Sequence, residues 1–188
     1  MKKFFCSLLM ATIFLVSSTA MAAFEETVPK DADLGSIKTL AVALPMHYKV
    51  EATEPNAEEF AEIIYNASRV STHQTISYDD IVDNIWKDSR VDIKALNDSE
   101  SRKIFNENVA KYADAYVTVT SANNNKSVQF FFEVRDSQSG DMLYVITIQS
   151  RAFGKNLKGY TRACEEFYKK FDVAAEKSMK KSKKKNKD

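Results

Sequence analysis

Residues 113–151 read ADAYVTVTSANNNKSVQFFFEVRDSQSGDMLYVITIQSR, and their patterning decides the fold class. Three strand candidates follow one another, Ala115–Thr120, Val128–Arg135 and Met142–Gln149, separated by Asn123-Asn124-Asn125 and by Asp136-Ser137-Gln138-Ser139-Gly140. Val128, Phe130, Phe132 and Val134 alternate with Gln129, Phe131, Glu133 and Arg135, the period of two that marks a strand with one apolar face. In the third candidate, Met142, Tyr144, Ile146 and Ile148 alternate with Leu143, Val145, Thr147 and Gln149. Both of its faces stay apolar for most of the length, which places it inside a sheet. The stretch is a meander whose apolar face helices must cover.

Upstream, Thr39–Leu44 is a short, nearly continuous apolar run ended by Pro45, the pattern of a central strand, with Met46–Ala52 either prolonging it or forming a loop. Thr53 and Pro55 announce a helix whose Phe60, Ile63, Ile64 and Ala67 recur at helical spacing. Ser77 is placed to cap the amide of Asp80 and start a second helix, with Tyr78, Ile81, Val82, Ile85 and Trp86 as its stripe and an end near Ser89. Thr72–Ile76 between them suits a short edge strand, and a third helix is expected over Ser99–Tyr112. The closing helix, Asn156–Met179, presents Leu157, Tyr160, Cys164, Phe167, Phe171 and Ala174 at spacings of three and four. The predicted fold is α/β in the α+β sense. It is a two-layer sandwich of a mixed, mainly antiparallel sheet with a C-terminal three-strand meander, covered by four helices.

The two ends of the chain differ from its middle. Lys2 and Lys3, the apolar run Phe4–Val16 and the small residues up to Ala23 have the layout of a signal peptide cut near Ala22 or Ala23. That run falls short of the roughly 20 residues a transmembrane helix needs, so the reading is an exported, soluble bacterial protein, periplasmic or at the cell surface. Residues 24–36 are polar, contain Pro29 and show no period, and are expected to be a linker into a single domain at 37–179. Loss of the leader removes Cys6 and leaves only Cys164, so no internal disulfide forms, and its helical setting predicts a buried apolar role.

A formal charge of +1 hides an asymmetry. Without the leader and residues 177–188 the body carries 18 basic and 25 acidic residues, whereas 177–188 holds seven lysines and one aspartate. Residues 180–188 lack any apolar side chain and are expected to be a disordered basic tail. Lys180, Lys181, Lys183, Lys184, Lys185 and Lys187 are its candidates for contact with an anionic membrane or envelope surface; the plainer reading is a solvated helix end. Export and an acidic body both argue against nucleic acid.

Catalytic patterns are scarce. Gly35, Gly140, Gly154 and Gly159 are scattered, which excludes a phosphate loop or dinucleotide fingerprint, and His47, His73 and Cys164 lack zinc spacing. Asp79, Asp80 and Asp83 cluster where carboxylates complement a helix dipole. Neither catalytic residues nor a cofactor nor a metal is therefore predicted. The best local alternative is a small hydrolase in which His47, beside Tyr48, is met by Asp79 or Asp80. Another is a carrier of a small apolar ligand in a cavity between the helices and the Phe130, Phe131 and Phe132 strand.

Ile37-Lys38-Thr39-Leu40-Ala41-Val42 as opening strand, Tyr112-Ala113-Asp114-Ala115-Tyr116-Val117 leading into the meander, and Val134-Arg135-Asp136-Ser137-Gln138-Ser139-Gly140 as its turn carry a resemblance. Over Ile37 to Met179 the chain resembles the small α/β envelope domains typified by the TolB amino-terminal domain and by CsgG-like proteins. The resemblance implies a non-catalytic interaction or assembly module whose partners are other envelope proteins.

Overall fold

A computed structural model of the chain describes residues 24–123, 127–149 and 156–185; the expected leader lies outside the described residues. Strands β1 (Phe24–Thr27), β2 (Thr39–Val42), β3 (Gln74–Ile76), β4 (Ala115–Asn123), β5 (Val128–Asp136) and β6 (Met142–Gln149) form one sheet in the order β1-β6-β5-β4-β2-β3. Helices α1 (Ala57–Ala67), α2 (Tyr78–Ser89), α3 (Asp98–Asn108) and α4 (Leu157–Lys185) accompany it. The pairings β1–β6, β6–β5 and β5–β4 are antiparallel, and β2 runs parallel to both β4 and β3. The expected α/β class, the mixed sheet and the C-terminal meander are all present.

Local chemistry places these elements. Leu40, Ala41 and Val42 are fully buried because β2 has strands on both sides and side chains over both faces. Asp114 fastens its start, accepting the amide hydrogens of Lys38 and Thr39, each at 2.9 Å. Asn56 and Glu59 form a reciprocal capping box at α1, and the Ser77 hydroxyl accepts the Asp80 amide at 3.0 Å to open α2, as the sequence predicts. At the β5–β6 turn Asp136 accepts the amides of Gln138 and Ser139, and Gly140 takes φ +75°, a conformation glycine adopts without steric cost. Those amides hold the Asp136 carboxyl below its ordinary range.

Register sorts the side chains onto two faces. Val119, Phe132 and Ile146 stand side by side across β4, β5 and β6, with Val117, Val134 and Tyr144 in the next row, and all six are fully buried. α4 and α1 lie on this face: Phe167 stacks on Phe132 at 4.6 Å and 7°, and Phe60 and Tyr160 meet Phe130 at 5.7 and 5.0 Å. The neighbouring residue on β4, Tyr116, points to the other face and meets Phe105 of α3 at 5.9 Å. The chain steps from β2 through α1 to β3 on one side, then from β3 through α2 and α3 back across to β4. Right-handed crossovers in opposite directions put their helices on opposite faces.

Four expectations change. Residues 24–36 are not a linker: β1 pairs with β6 from Phe24↔Ile148 to Thr27↔Val145, and Leu34 is fully buried. Gly35 lies so close to α4 that an added Cβ would stand 2.9 Å from the Met179 backbone nitrogen. Residues 180–185 are helical, because lysine is a good helix former and the last-turn cations complement the helix dipole. Lys180 also reaches Glu176 at 2.6 Å, four positions back; Lys187 and the side chains of Lys184 and Lys185 lie outside the described residues. Trp86 is 45% exposed at the edge of the α2 stripe, with the Arg90 guanidinium 5.9 Å from its ring centroid. The third helix stops at Asn108 and tightens into a 3-10 turn over Val109–Lys111.

Candidate functional site

His47 follows Pro45 at the end of β2, where Met46 forms a single parallel bridge with Thr120 before the chain leaves as a loop. The residue is 7% exposed, and its ring lies between Phe60 at 5.3 Å and Tyr160 at 5.5 Å. Nε2 donates to the Pro55 carbonyl at 2.8 Å, so Nδ1 accepts the Ser121 hydroxyl at 2.5 Å. Burial pulls its pKa below the ordinary 6.5, against the opposing pull of the Pro55 carbonyl and Glu54. A hydroxyl within hydrogen-bond reach is what the hydrolase reading asks for. Its carboxylates are elsewhere: Asp79 pairs with Lys94 at 2.8 Å and Asp80 accepts from Ser77, both at the start of α2 across the sheet. With both nitrogens committed, His47 is a neutral tie between the two ends of the loop.

Glu54 supplies a second tie. It is 2% exposed, and its carboxylate accepts the Val50 amide at 2.9 Å and the Asn123 side-chain amide at 2.8 Å. Between these inward residues the loop turns its apolar side chains out, leaving Tyr48 81% and Val50 71% exposed.

His73, isolated in sequence, meets Asp172 of α4 at 2.8 Å. Ser71 and the Thr72 amide also donate to that carboxylate, each at 2.8 Å. The residue types are those of a hydrolytic triad, but the arrangement differs from one: the Ser71 hydroxyl is bound to the carboxylate and approaches Nδ1, not the far nitrogen. The cluster fastens the turn after α1 to α4.

A cavity of about 300 Å³ opens on the face away from α4, between α3 and the sheet. Ala43, Leu44 and Phe105 give it apolar walls, and the rings of Tyr78 and Tyr116, each 6% exposed, stand beside them. Neither phenol hydroxyl bonds to another group among the described residues. Burial raises both phenol pKa values, so both stay protonated at neutral pH. Arg135 is engaged by Glu133 at 2.7 Å, whereas Arg102 donates to the Leu44 carbonyl at 2.9 Å and meets no carboxylate among the described residues. The expected ligand space beside Phe130 and Phe132 is instead filled by Phe60, Tyr160 and Phe167, while Phe131 points to the other face. Arg102, Glu54 and Asp172 carry no local sequence signal, since their partners are remote in the chain. Among the described residues no group of three or more histidine, cysteine or acidic side chains converges to hold a metal, and no helix is long and apolar enough to cross a membrane.

No family model and no curated protein sequence matches the chain. Among solved structures, it is similar to the PelC dodecamer from Paraburkholderia phytofirmans, at 12% identity and a TM-score of 0.47, over 81% of this chain and 98% of that one. It is also similar to lipoprotein GNA1162 from Neisseria meningitidis, at 13% identity and a TM-score of 0.42, over 60% and 78% of the two chains. The LpoB C-terminal domain from Escherichia coli gives 14% identity and a TM-score of 0.43, over 60% and 81%. Likenesses this distant carry no functional argument, and they do not establish the TolB or CsgG relation.

Proposed function

We propose that the chain is an exported, non-catalytic module of a bacterial cell envelope that acts by binding another envelope protein through the loop between β2 and α1. Export rests on the leader pattern of residues 1–23. The observation that carries the partner reading is the construction of the loop: buried His47 and Glu54 hold exposed Tyr48 and Val50 in place. A tyrosine on a fixed support gives up little entropy on binding, and tyrosine is enriched at the energetic centres of protein interfaces. The partner's matching feature is an apolar recess wide enough for a phenol ring. The exposed lysines of α4, Lys180, Lys181 and Lys183, supply a weaker, salt-sensitive attraction to an anionic surface.

A photoreactive residue placed at Tyr48 in living cells tests this. The expected result is one discrete adduct that a Val50→Asp change abolishes and that the same probe at exposed Val173 does not give. Identical adducts from both positions, or none from position 48, overturn the reading.

A further inference from the structure

The cavity beneath α3 has features that partner binding through the β2–α1 loop does not use. We propose that it is a binding site for a small organic acid, a ligand with an apolar or aromatic body and one carboxylate.

Position is the first reason. The cavity lies where β2 ends and the longer β4 runs on beside it: Ala43 and Leu44 follow the last residue of β2, and Thr118 is the fourth residue of β4. Ligands of open sheets bind outside the carboxyl ends of parallel strands, and β2 is parallel to both its neighbours.

Its chemistry sets the ligand class. Arg102, Arg135 and Glu133 are the charged lining residues, and the Glu133–Arg135 pair leaves one positive charge, on Arg102, without a counterion among the described residues. A planar guanidinium that spends one hydrogen on the Leu44 carbonyl and one, at 3.5 Å, on the Pro45 carbonyl still has hydrogens for a carboxylate. Tyr78 and Tyr116 add two phenols whose hydroxyls have no acceptor among the described residues and are not sealed in the core, so each is open to donate to a guest. Phe105 and the tyrosine rings bound the apolar part. A volume of about 300 Å³ is at the small end of ligand sites, roughly 300–1,000 Å³, which favours a compact acid over a nucleotide or a lipid chain.

The experiment follows backbone amide resonances of the isotopically labelled full chain, purified after export, during titration with hydrocinnamate, hexanoate or the neutral amide hydrocinnamide. Shifts are expected at the end of β2, along α3 and in the middle of β4. Hydrocinnamate should bind about tenfold more tightly than hydrocinnamide, the scale of one charge-assisted hydrogen bond. Arg102→Gln should erase that preference, and Thr118→Leu should abolish binding of both by filling the space. Because Arg102→Gln also cuts the tie to Leu44, Tyr116→Phe is the control for folding. Its hydroxyl bonds to no other group among the described residues, so the melting temperature should hold while acid affinity falls about threefold or more. No shifts with either acid up to about 10 mM, shifts confined to the α4 side, equal affinity for acid and amide, or unchanged acid affinity in both Arg102→Gln and Tyr116→Phe would each overturn the proposal.

Discussion

The two faces of the sheet differ in how completely helices cover them, and the difference separates what holds the protein together from what it presents. On one face α4, with 29 residues, extends about 43 Å at 1.5 Å per residue. It follows β5, with Tyr160 on Phe130, Phe167 on Phe132 and Phe171 on Tyr144 of the neighbouring strand, and α1 lies beside it; the rings of Phe60, Phe130, Phe132, Tyr144, Phe167 and Phe171 are all fully buried there. On the other face the shorter α2 and α3, with 12 and 11 residues, reach about 18 and 16 Å. They cover the β2 and β4 side, where Phe105 meets Tyr116, leaving Phe131, Val145 and Thr147 half-exposed and a cavity at the margin. Long coverage encloses its side chains completely, the Tyr144 hydroxyl included; short coverage leaves a cavity at the margin of the sheet.

The sharpest way to break this comparison is a pair of substitutions on one strand. Phe132→Ala should cost about 3–5 kcal/mol, because the ring stacks on Phe167 in a core that cannot collapse around it. Phe131→Ala, one residue away and facing the half-covered side, should cost about 1 kcal/mol. Chemical denaturation of both variants decides it. Equal losses would mean that the two faces are equally buried.

A second test sits at the amino-terminal end. Gly35→Ala forces a Cβ against the Met179 backbone, and overpacking of this kind typically costs about 1–3 kcal/mol. Thermal melting of the variant checks it, and an unchanged midpoint would return residues 24–36 to the status of a linker. That segment was illegible for physical reasons. Phe24-Glu25-Glu26-Thr27 is too short and polar to show a period, and its strand exists because β6, apolar on both faces, needs a neighbour there. By contrast the β5 alternation, the limits of β6 and the Ser77 cap were legible because each is written in adjacent residues. The candidate site was hardly legible. Arg102 to Leu44, Asp172 to His73 and Glu54 to Asn123 join residues 58, 99 and 69 positions apart, and only the folded sheet brings them together.

A third test separates a structural histidine from a catalytic one by pH. The folded state holds His47 neutral with its pKa below 6.5, so on acidification through that value the unfolded chain takes up a proton that the folded chain refuses. The contribution is present in full above the unfolded pKa and is lost as pH falls through the folded one. His47→Gln should lower stability at about pH 7.5 by about 1–3 kcal/mol, through the lost tie, and should flatten the decline between about pH 7 and 5 relative to the unaltered protein. Denaturation midpoints at several pH values measure both effects. An unaltered slope would mean that His47 titrates alike in folded and unfolded chains, contrary to its burial among Phe60, Tyr160 and Ser121.

The smallest expected effect is at the far end of α4. Lys180, Lys181 and Lys183 are exposed, and the i, i+4 pair between Glu176 and Lys180 is a surface contact. Deleting residues 180–188 should therefore shift the melting temperature by less than about 1 °C. If these lysines meet an anionic surface, the same deletion should weaken cosedimentation with anionic vesicles at low ionic strength, and replacement of the lysines by glutamine should reproduce the loss. Salt should abolish the binding in the intact chain as the Debye length falls from about 30 Å at 0.01 M to about 8 Å at 0.15 M. An intact chain that fails to sediment at the lower salt would reduce the lysines to a solvated helix end. A large loss of melting temperature on deletion would show instead that the end of α4 packs against the body, and the covered face would then extend beyond Met179.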